Sequence, residues 1–176
     1  MAWRLAPALA VLVVSLVPAA GAQTASARTP ARIVYGYPYA ASCPGAALGG
    51  VVDRWGMYVC NCTSYVAWTL SANHQRTDWF IRGAMDAWNW PNVALVAGLT
   101  VDRLPAAGAV AVWPEIALPF GHVAYVTGVG PGQAISVAEY NYPAPNGLNT
   151  FGFETRSYVS PGDAVFIHVP RRVNPR

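Results

Sequence analysis

The stretch Asn61-Cys62-Thr63-Ser64-Tyr65-Val66-Ala67-Trp68-Thr69-Leu70-Ser71-Ala72-Asn73 decides how the chain is read. Asn61 is a good N-cap. Tyr65, Val66, Trp68, Thr69 and Leu70 recur at helical spacing and give one apolar face, and Asn73 is suited to ending the helix. Downstream, residues 76–90 are dense in aromatics, with a short helical pattern around Ala84 to Trp88. Pro91 can open a second helix, Asn92 to Ala97, which Gly98 stops. After Pro105 the pattern changes to short β-rich runs at 109–113, 122–126, 134–137 and 164–169, separated by turns rich in Pro and Gly. Helices followed by strands in series predict an α+β fold, N-terminal helices packed on an antiparallel sheet. Upstream, Ile33 to Gly50 carries tyrosines, Pro38, Pro44 and several glycines, and reads as an ordered but irregular arm. No internal repeat and no further domain boundary is visible.

The first residues read as a targeting segment. Met1 to Arg4 carries one positive charge, Leu5 to Val17 is apolar apart from Pro7 and Ser15, and Ala20-Gly21-Ala22 is a small-residue cleavage site. This is the pattern of a secretory signal peptide, 1–22, and the apolar run is shorter than the roughly 20 residues of a membrane-spanning helix. A second small-residue site at Ala25-Ser26-Ala27 leaves the cut open. Residues 23–32 are polar, Ala-rich and unpatterned, and read as a disordered lead-in. The folded unit is then 33–176, expected outside the cytoplasm, without a later membrane span, and monomeric.

Composition sets further bounds. The chain has 176 residues, 54% hydrophobic and 11% charged, too apolar for a disordered protein. All 11 basic residues are Arg, for a formal charge of +3, and several sit in the tails at Arg28, Arg32, Arg171, Arg172 and Arg176. No basic helix or arginine run interleaved with aromatics points to nucleic acid. The three histidines and the carboxylates show no metal-ligand spacing, and Cys60-Asn61-Cys62 is too tight for a zinc pair, so neither metal nor cofactor is expected.

Three cysteines, Cys43, Cys60 and Cys62, in an oxidising compartment imply one disulfide and one free thiol. Cys62 falls in the first turn of the 61–73 helix. Unpaired N–H groups and the positive end of the helix dipole stabilise a thiolate there, and the same groups can hold an oxyanion. His122 opens a predicted strand behind Gly121, a small residue that lets another group approach closely. Glu139 and Asn141 end the next strand two positions apart, so both can face one way, and antiparallel pairing puts one of them beside His122. Nucleophile on a helix N-terminus, base on a strand and orienter on its neighbour make up the set that thiol catalysis needs.

Residues 61–68, Asn-Cys-Thr-Ser-Tyr-Val-Ala-Trp, resemble the nucleophile motif of the CHAP family, the cysteine, histidine-dependent amidohydrolases/peptidases. Residues 105–113 are similar to the family's strand before the histidine, with Ala109 where an Asp usually stands. Gly121-His122-Val123-Ala124-Tyr125-Val126 is similar to its histidine motif and Val137-Ala138-Glu139-Tyr140-Asn141 to its third. The Asp-Cys-Ser-Gly of the other common wall-peptidase type is absent. The resemblance, running from about Gly56 to Pro170, implies a papain-like α+β fold. It also implies hydrolysis of amide or peptide bonds in bacterial cell-wall peptidoglycan by Cys62, His122, Glu139 and Asn141. Asn61 is expected to support the site or its oxyanion. With Cys62 needed as a thiolate and too close to Cys60 for a relaxed bridge, the disulfide is expected between Cys43 and Cys60. Glu139 is expected to orient His122, with Asn141 supporting the site or the substrate. The competing reading is a secreted, non-catalytic wall-binding or adhesion module on the same fold. His74 reads as a helix-end or solvated residue, His168 as a sheet residue, and Trp79, Phe80, Trp88 and Trp90 as core or as a groove for sugar rings. The sequence assigns no role to Arg76 and Asp78.

Overall fold

The structure, a computed structural model, describes residues 31–43, 50–81, 86–143 and 151–172. The expected signal peptide and nearly all of the lead-in lie outside the described residues, as does part of the helical pattern near Ala84.

Helix α1 spans Cys62–Ala72. Asn61, with extended backbone (φ −106°, ψ 164°), starts it as expected, but its side chain makes no capping bond. The helix ends by a left-handed turn. His74 takes φ +57°, its N–H donates to Ser71 O (3.0 Å), and Gln75 N–H reaches back to Leu70 O (2.9 Å). His74 is thus the exposed residue that turns the chain out of α1. Helix α2 spans Trp90–Val96, with Pro91 in its first turn and Gly98 at φ +74° beyond its end. The helical pattern before it is a 3-10 turn at Ala87–Asn89.

Six strands follow: β1 Thr100–Asp102, β2 Val110–Trp113, β3 His122–Val129, β4 Ile135–Tyr140, β5 Phe153–Val159 and β6 Val165–His168. They form one antiparallel sheet in the order β1-β6-β2-β3-β4-β5. The α+β expectation is met, helices first and antiparallel sheet after. Strands β1 and β5 are additions to the sequence reading.

Side-chain alternation divides the core. Val110, Val112, Val123, Tyr125, Ala138, Tyr140 and Ile167 form one cluster with Tyr65, Val66 and Leu70 of α1 and Trp90, Val93 and Ala94 of α2. Ala111, Trp113, Ala124, Val126, Ile135, Val137 and Phe166 form a second. The central strands bury both faces, which is why they read as continuous apolar runs rather than alternating ones.

The arm before α1 is held from beneath the helix. Tyr37 is buried, packs on Tyr65, Trp68 and Tyr140, shares a hydrogen bond with Ser64 Oγ (2.7 Å) and accepts one from Cys60 N–H (3.1 Å). A Cys43–Cys60 disulfide joins that arm to the segment leading into α1. Across its separation of 17 residues such a bridge contributes on the order of 3 kcal/mol. On the other side, buried Gln75 donates to Gly108 O and Val169 O (both 2.8 Å) and accepts from Tyr125 Oη (2.9 Å), fastening the end of α1 to the sheet.

Candidate active site

Cys62 is the free cysteine and the first residue of α1, half-buried. The helical ladder begins with Tyr65 N–H to Asn61 O (3.1 Å), so the amides of Cys62, Thr63 and Ser64 lie ahead of it. Cys60, at φ +66°, turns the chain sharply before the helix and carries the disulfide. The fold therefore fixes the direction in which the Cys62 thiol leaves the helix.

His122 opens β3 and is 1% exposed. Its position depends on Gly121. A Cβ there would lie 2.6 Å from the Trp88 backbone nitrogen, and Gly121 has φ +75°. Trp88 N–H donates to Phe120 O (3.1 Å), so the 3-10 turn before α2 is stitched to the entry of β3. The close approach expected behind the histidine is thus made by backbone.

The register Tyr125↔Ala138 between β3 and β4 aligns Glu139 with Ala124, on the face that His122 shares. Glu139 is fully buried, and its Oε2 lies 2.7 Å from His122 Nε2. Cys62 is the other group that acts electrostatically on the imidazole. With Nε2 facing Glu139, Nδ1 is the nitrogen left for the sulfur. Burial pulls the His122 pKa down, but the charge of Cys62, followed by the hydrogen bond and charge of Glu139, outweighs it and pushes the value up to about 9. Burial likewise pushes the Glu139 carboxyl up, and His122 and Arg156 more than offset this, holding it below its ordinary value.

Asn141 has a different set of partners. Its φ of +55° takes it out of the strand. Its Nδ2 donates to Asn61 Oδ1 (2.9 Å), and its Oδ1 accepts Phe151 N–H (2.9 Å). Asn61 in turn donates from Nδ2 to Val59 O (3.4 Å). The two asparagines join the N-terminus of α1 to the end of β4 and the start of β5. Of Glu139 and Asn141, it is Glu139, the residue expected to orient His122, that lies against the histidine.

Two residues not singled out in the sequence complete the surroundings. Arg156 on β5 bonds Glu139 through Nε to Oε1 and through Nη2 to Oε2 (3.1 Å). The Tyr142 ring meets the His122 ring edge-on (centroids 5.3 Å apart) and carries the Arg156 guanidinium 3.9 Å above its centroid. Trp113 flanks the imidazole at 6.0 Å. The alternation Glu154, Arg156 along an unrecognised strand was the available signal for Arg156.

Other candidates lie away from the thiol or in the core. Trp79 and Trp90 are buried, Phe80 is half-buried against both, and Trp88 is 45% exposed beside the entry to β3. Arg76 and Asp78 form an exposed ion pair (3.0 Å). His168 in β6 pairs with Asp102 (2.9 Å). A groove lined by Gln75, Asp102, Tyr125, His168 and Arg171, among others, shares no residue with the Cys62 site. Ala109, where the resembled family usually has Asp, is buried in the second core cluster. Among the described residues no group of three or more His, Cys, Asp or Glu is arranged to hold a metal ion, and no helix is long and apolar enough to cross a membrane.

This geometry coincides with the matches to known proteins. The CHAP domain family model matches residues 52–141, from the strand-like segment before the arm's disulfide partner to Asn141. A Staphylococcus aureus protein named "Probable autolysin LDP" is 32% identical over 118 residues, covering 67% of this chain and 39% of that protein. Staphylococcal secretory antigen SsaA of Staphylococcus epidermidis is 44% identical over 62 residues, 35% of this chain and 23% of the antigen. The chain thus spans well under half the length of these relatives. Among solved structures, an N-acetylmuramoyl-L-alanine amidase from Staphylococcus aureus superimposes with a TM-score of 0.51 at 22% identity, covering 62% of this chain and 30% of the amidase, a likeness of fold. With the family model covering half of its length and the family's motifs gathered at the N-terminus of α1, this chain belongs to the CHAP domain family.

Proposed function

We propose that this chain is a secreted peptidoglycan hydrolase that cleaves amide or peptide bonds by a Cys-His thiol mechanism. The observation that carries the reading is a buried imidazole with a buried carboxylate 2.7 Å from its Nε2, and a free thiol at a helix N-terminus as its other charged neighbour. The names of the relatives, an autolysin and a secretory antigen, support a cell-wall substrate and an extracellular site of action.

In this reading the Cys62 thiolate attacks the amide carbon. The oxyanion is received by the free backbone N–H groups at the start of α1, with Asn61 and Asn141 keeping that helix end in place. His122 passes the Nδ1 proton to the departing amine as the C–N bond breaks, leaving a thioester on Cys62. Nδ1 then takes a proton from water, whose oxygen attacks the thioester carbon, and the C–S bond breaks to restore the thiolate. Glu139 keeps the second imidazole proton on Nε2 throughout. No cofactor enters. Residues 1–22 serve as the signal peptide, 23–32 as a lead-in, and 33–176 as the catalytic domain, acting as a monomer.

The test is digestion of purified peptidoglycan with mass spectrometry of the new termini. A new stem-peptide amino terminus with a free muramoyl carboxyl identifies an amidase, and termini within the stem or cross-bridge identify an endopeptidase. Cys62→Ala and His122→Ala should each lose at least about 10³-fold in rate while remaining folded. Wall binding without new termini would favour the non-catalytic module instead.

A further inference from the structure

Glu139 is a carboxylate with no contact with water, and such a group stays ionised only while positive charge faces it. The groups facing it are His122 from β3, Arg156 from β5, its cross-strand partner Glu154 and, from α1, the Tyr65 phenol. Glu154 is no source of positive charge, and Tyr65 is held neutral, its pKa pushed up to about 12 by burial. Among the described residues two cations remain, and they differ in kind. The imidazolium is charged for part of the time, whereas the guanidinium is charged always.

On the catalytic reading above, His122 is neutral once its Nδ1 proton has gone to the leaving amine. The thioester must then be cleared by a neutral imidazole carrying its proton on Nε2 and a lone pair on Nδ1. A Glu139 that had become protonated would donate to Nε2 and force the proton onto Nδ1, the tautomer unable to take a proton from water. We infer that Arg156 is a positioning residue that keeps Glu139 ionised and aimed at His122 while the imidazole is neutral.

The geometry suits the task. The fork engages both carboxylate oxygens, which fixes the plane of the carboxylate as well as its charge. The guanidinium is fixed in turn over the Tyr142 ring at 3.9 Å, and that ring stands edge-on to the imidazole it serves. Arg156, Tyr142, Glu139 and His122 therefore form one closed packing unit. Arg156 keeps 25% of its side chain exposed, so one face of the site's permanent cation is open to solvent.

The inference rests on the thiol reading, but one of its two tests does not. The first follows the Glu139 carboxyl carbon by NMR during acid titration of the full chain, without any substrate. Arg156→Met should raise the midpoint by at least about one pH unit, and an unmoved midpoint would overturn the inference. The second is a double-mutant cycle in wall digestion. Arg156→Met should slow hydrolysis at least about tenfold in the native background and less than about twofold on Glu139→Gln, with Arg156→Lys recovering part of the loss. Equal losses in both backgrounds would mark a merely structural arginine and overturn it. Should Arg156→Met fail to fold, Arg156→Gln carries the same comparisons. A native protein inactive on walls would remove the hydrolase reading, and the carboxyl titration would still decide whether Arg156 holds Glu139 ionised.

Discussion

Replacing Glu139 by Gln keeps the shape of the side chain and removes its charge. The carboxylate is fully buried and bonded to His122 at 2.7 Å and to the Arg156 fork. Removing one member of a buried ionic set costs about 3–5 kcal/mol, because the remaining charges stay buried without a partner. For a domain of this size that corresponds to a fall in Tm of roughly 6–20 °C. The effect on chemistry is separable from this. The active form requires the imidazolium, so activity falls on the alkaline side as His122 loses its proton, at about 9. Since Glu139 is one of the groups that raises this value, its loss must move the limb downward. A hydrogen bond to a charged group is worth about 1.5–3 kcal/mol, or ~1–2 pH units. The assay is kcat/KM for wall digestion from pH 5 to 10, at a temperature where native protein and variant are both folded. An alkaline limb that stays near 9 or rises would refute the assignment of Glu139 as the partner of His122.

Three further outcomes follow from other contacts. Asn141→Ala removes the bonds to Asn61 and Phe151 and leaves the His122–Glu139 pair alone, so the pH limbs should stay in place while the plateau rate falls. Gly121→Ala should lower stability by at least about 2 kcal/mol in chemical denaturation, combining about 1–2 kcal/mol for a left-handed alanine with displacement of the Trp88 backbone. Cys43→Ala with Cys60→Ala should cost on the order of 3 kcal/mol, or ~6–12 °C in Tm, and leave the thiol count from denatured protein at one.

How far the sequence could be read follows from which features are local. The helix over Cys62–Ala72 carries its own start signal and apolar spacing, and the four central runs were legible because both sheet faces are buried. Strand β1 escaped because it is three residues long, and β5 because Phe-Glu-Thr-Arg places charges where a strand usually shows an apolar row. The reason for that arginine lies on another strand, in the buried charge of Glu139. The choice between Glu139 and Asn141 was also beyond local reading. Strand alternation gives them the same direction, and only the turn at Asn141 sends its amide to Asn61 and Phe151 instead. Asn61 fits the preference for a capping residue, yet its side-chain oxygen goes to Asn141. Likewise, aromatic density did not say which tryptophan would be exposed. The contact of the Trp88 backbone with Gly121 holds Trp88 at the surface while Trp79 and Trp90 close the core.

The central claim is that the Cys62 sulfur is the attacking atom, and partial alkylation tests it most directly. Native protein is treated with sub-stoichiometric to excess iodoacetamide, the modified fraction at Cys62 is read by peptide mass mapping, and wall digestion is measured on the same samples. Cys62 is half-buried and is the free thiol, so the reagent has one target. The account predicts that residual activity equals the unmodified fraction of Cys62, reaching zero at one equivalent incorporated. Protein fully alkylated at Cys62 that still releases new wall termini at the native rate would contradict it.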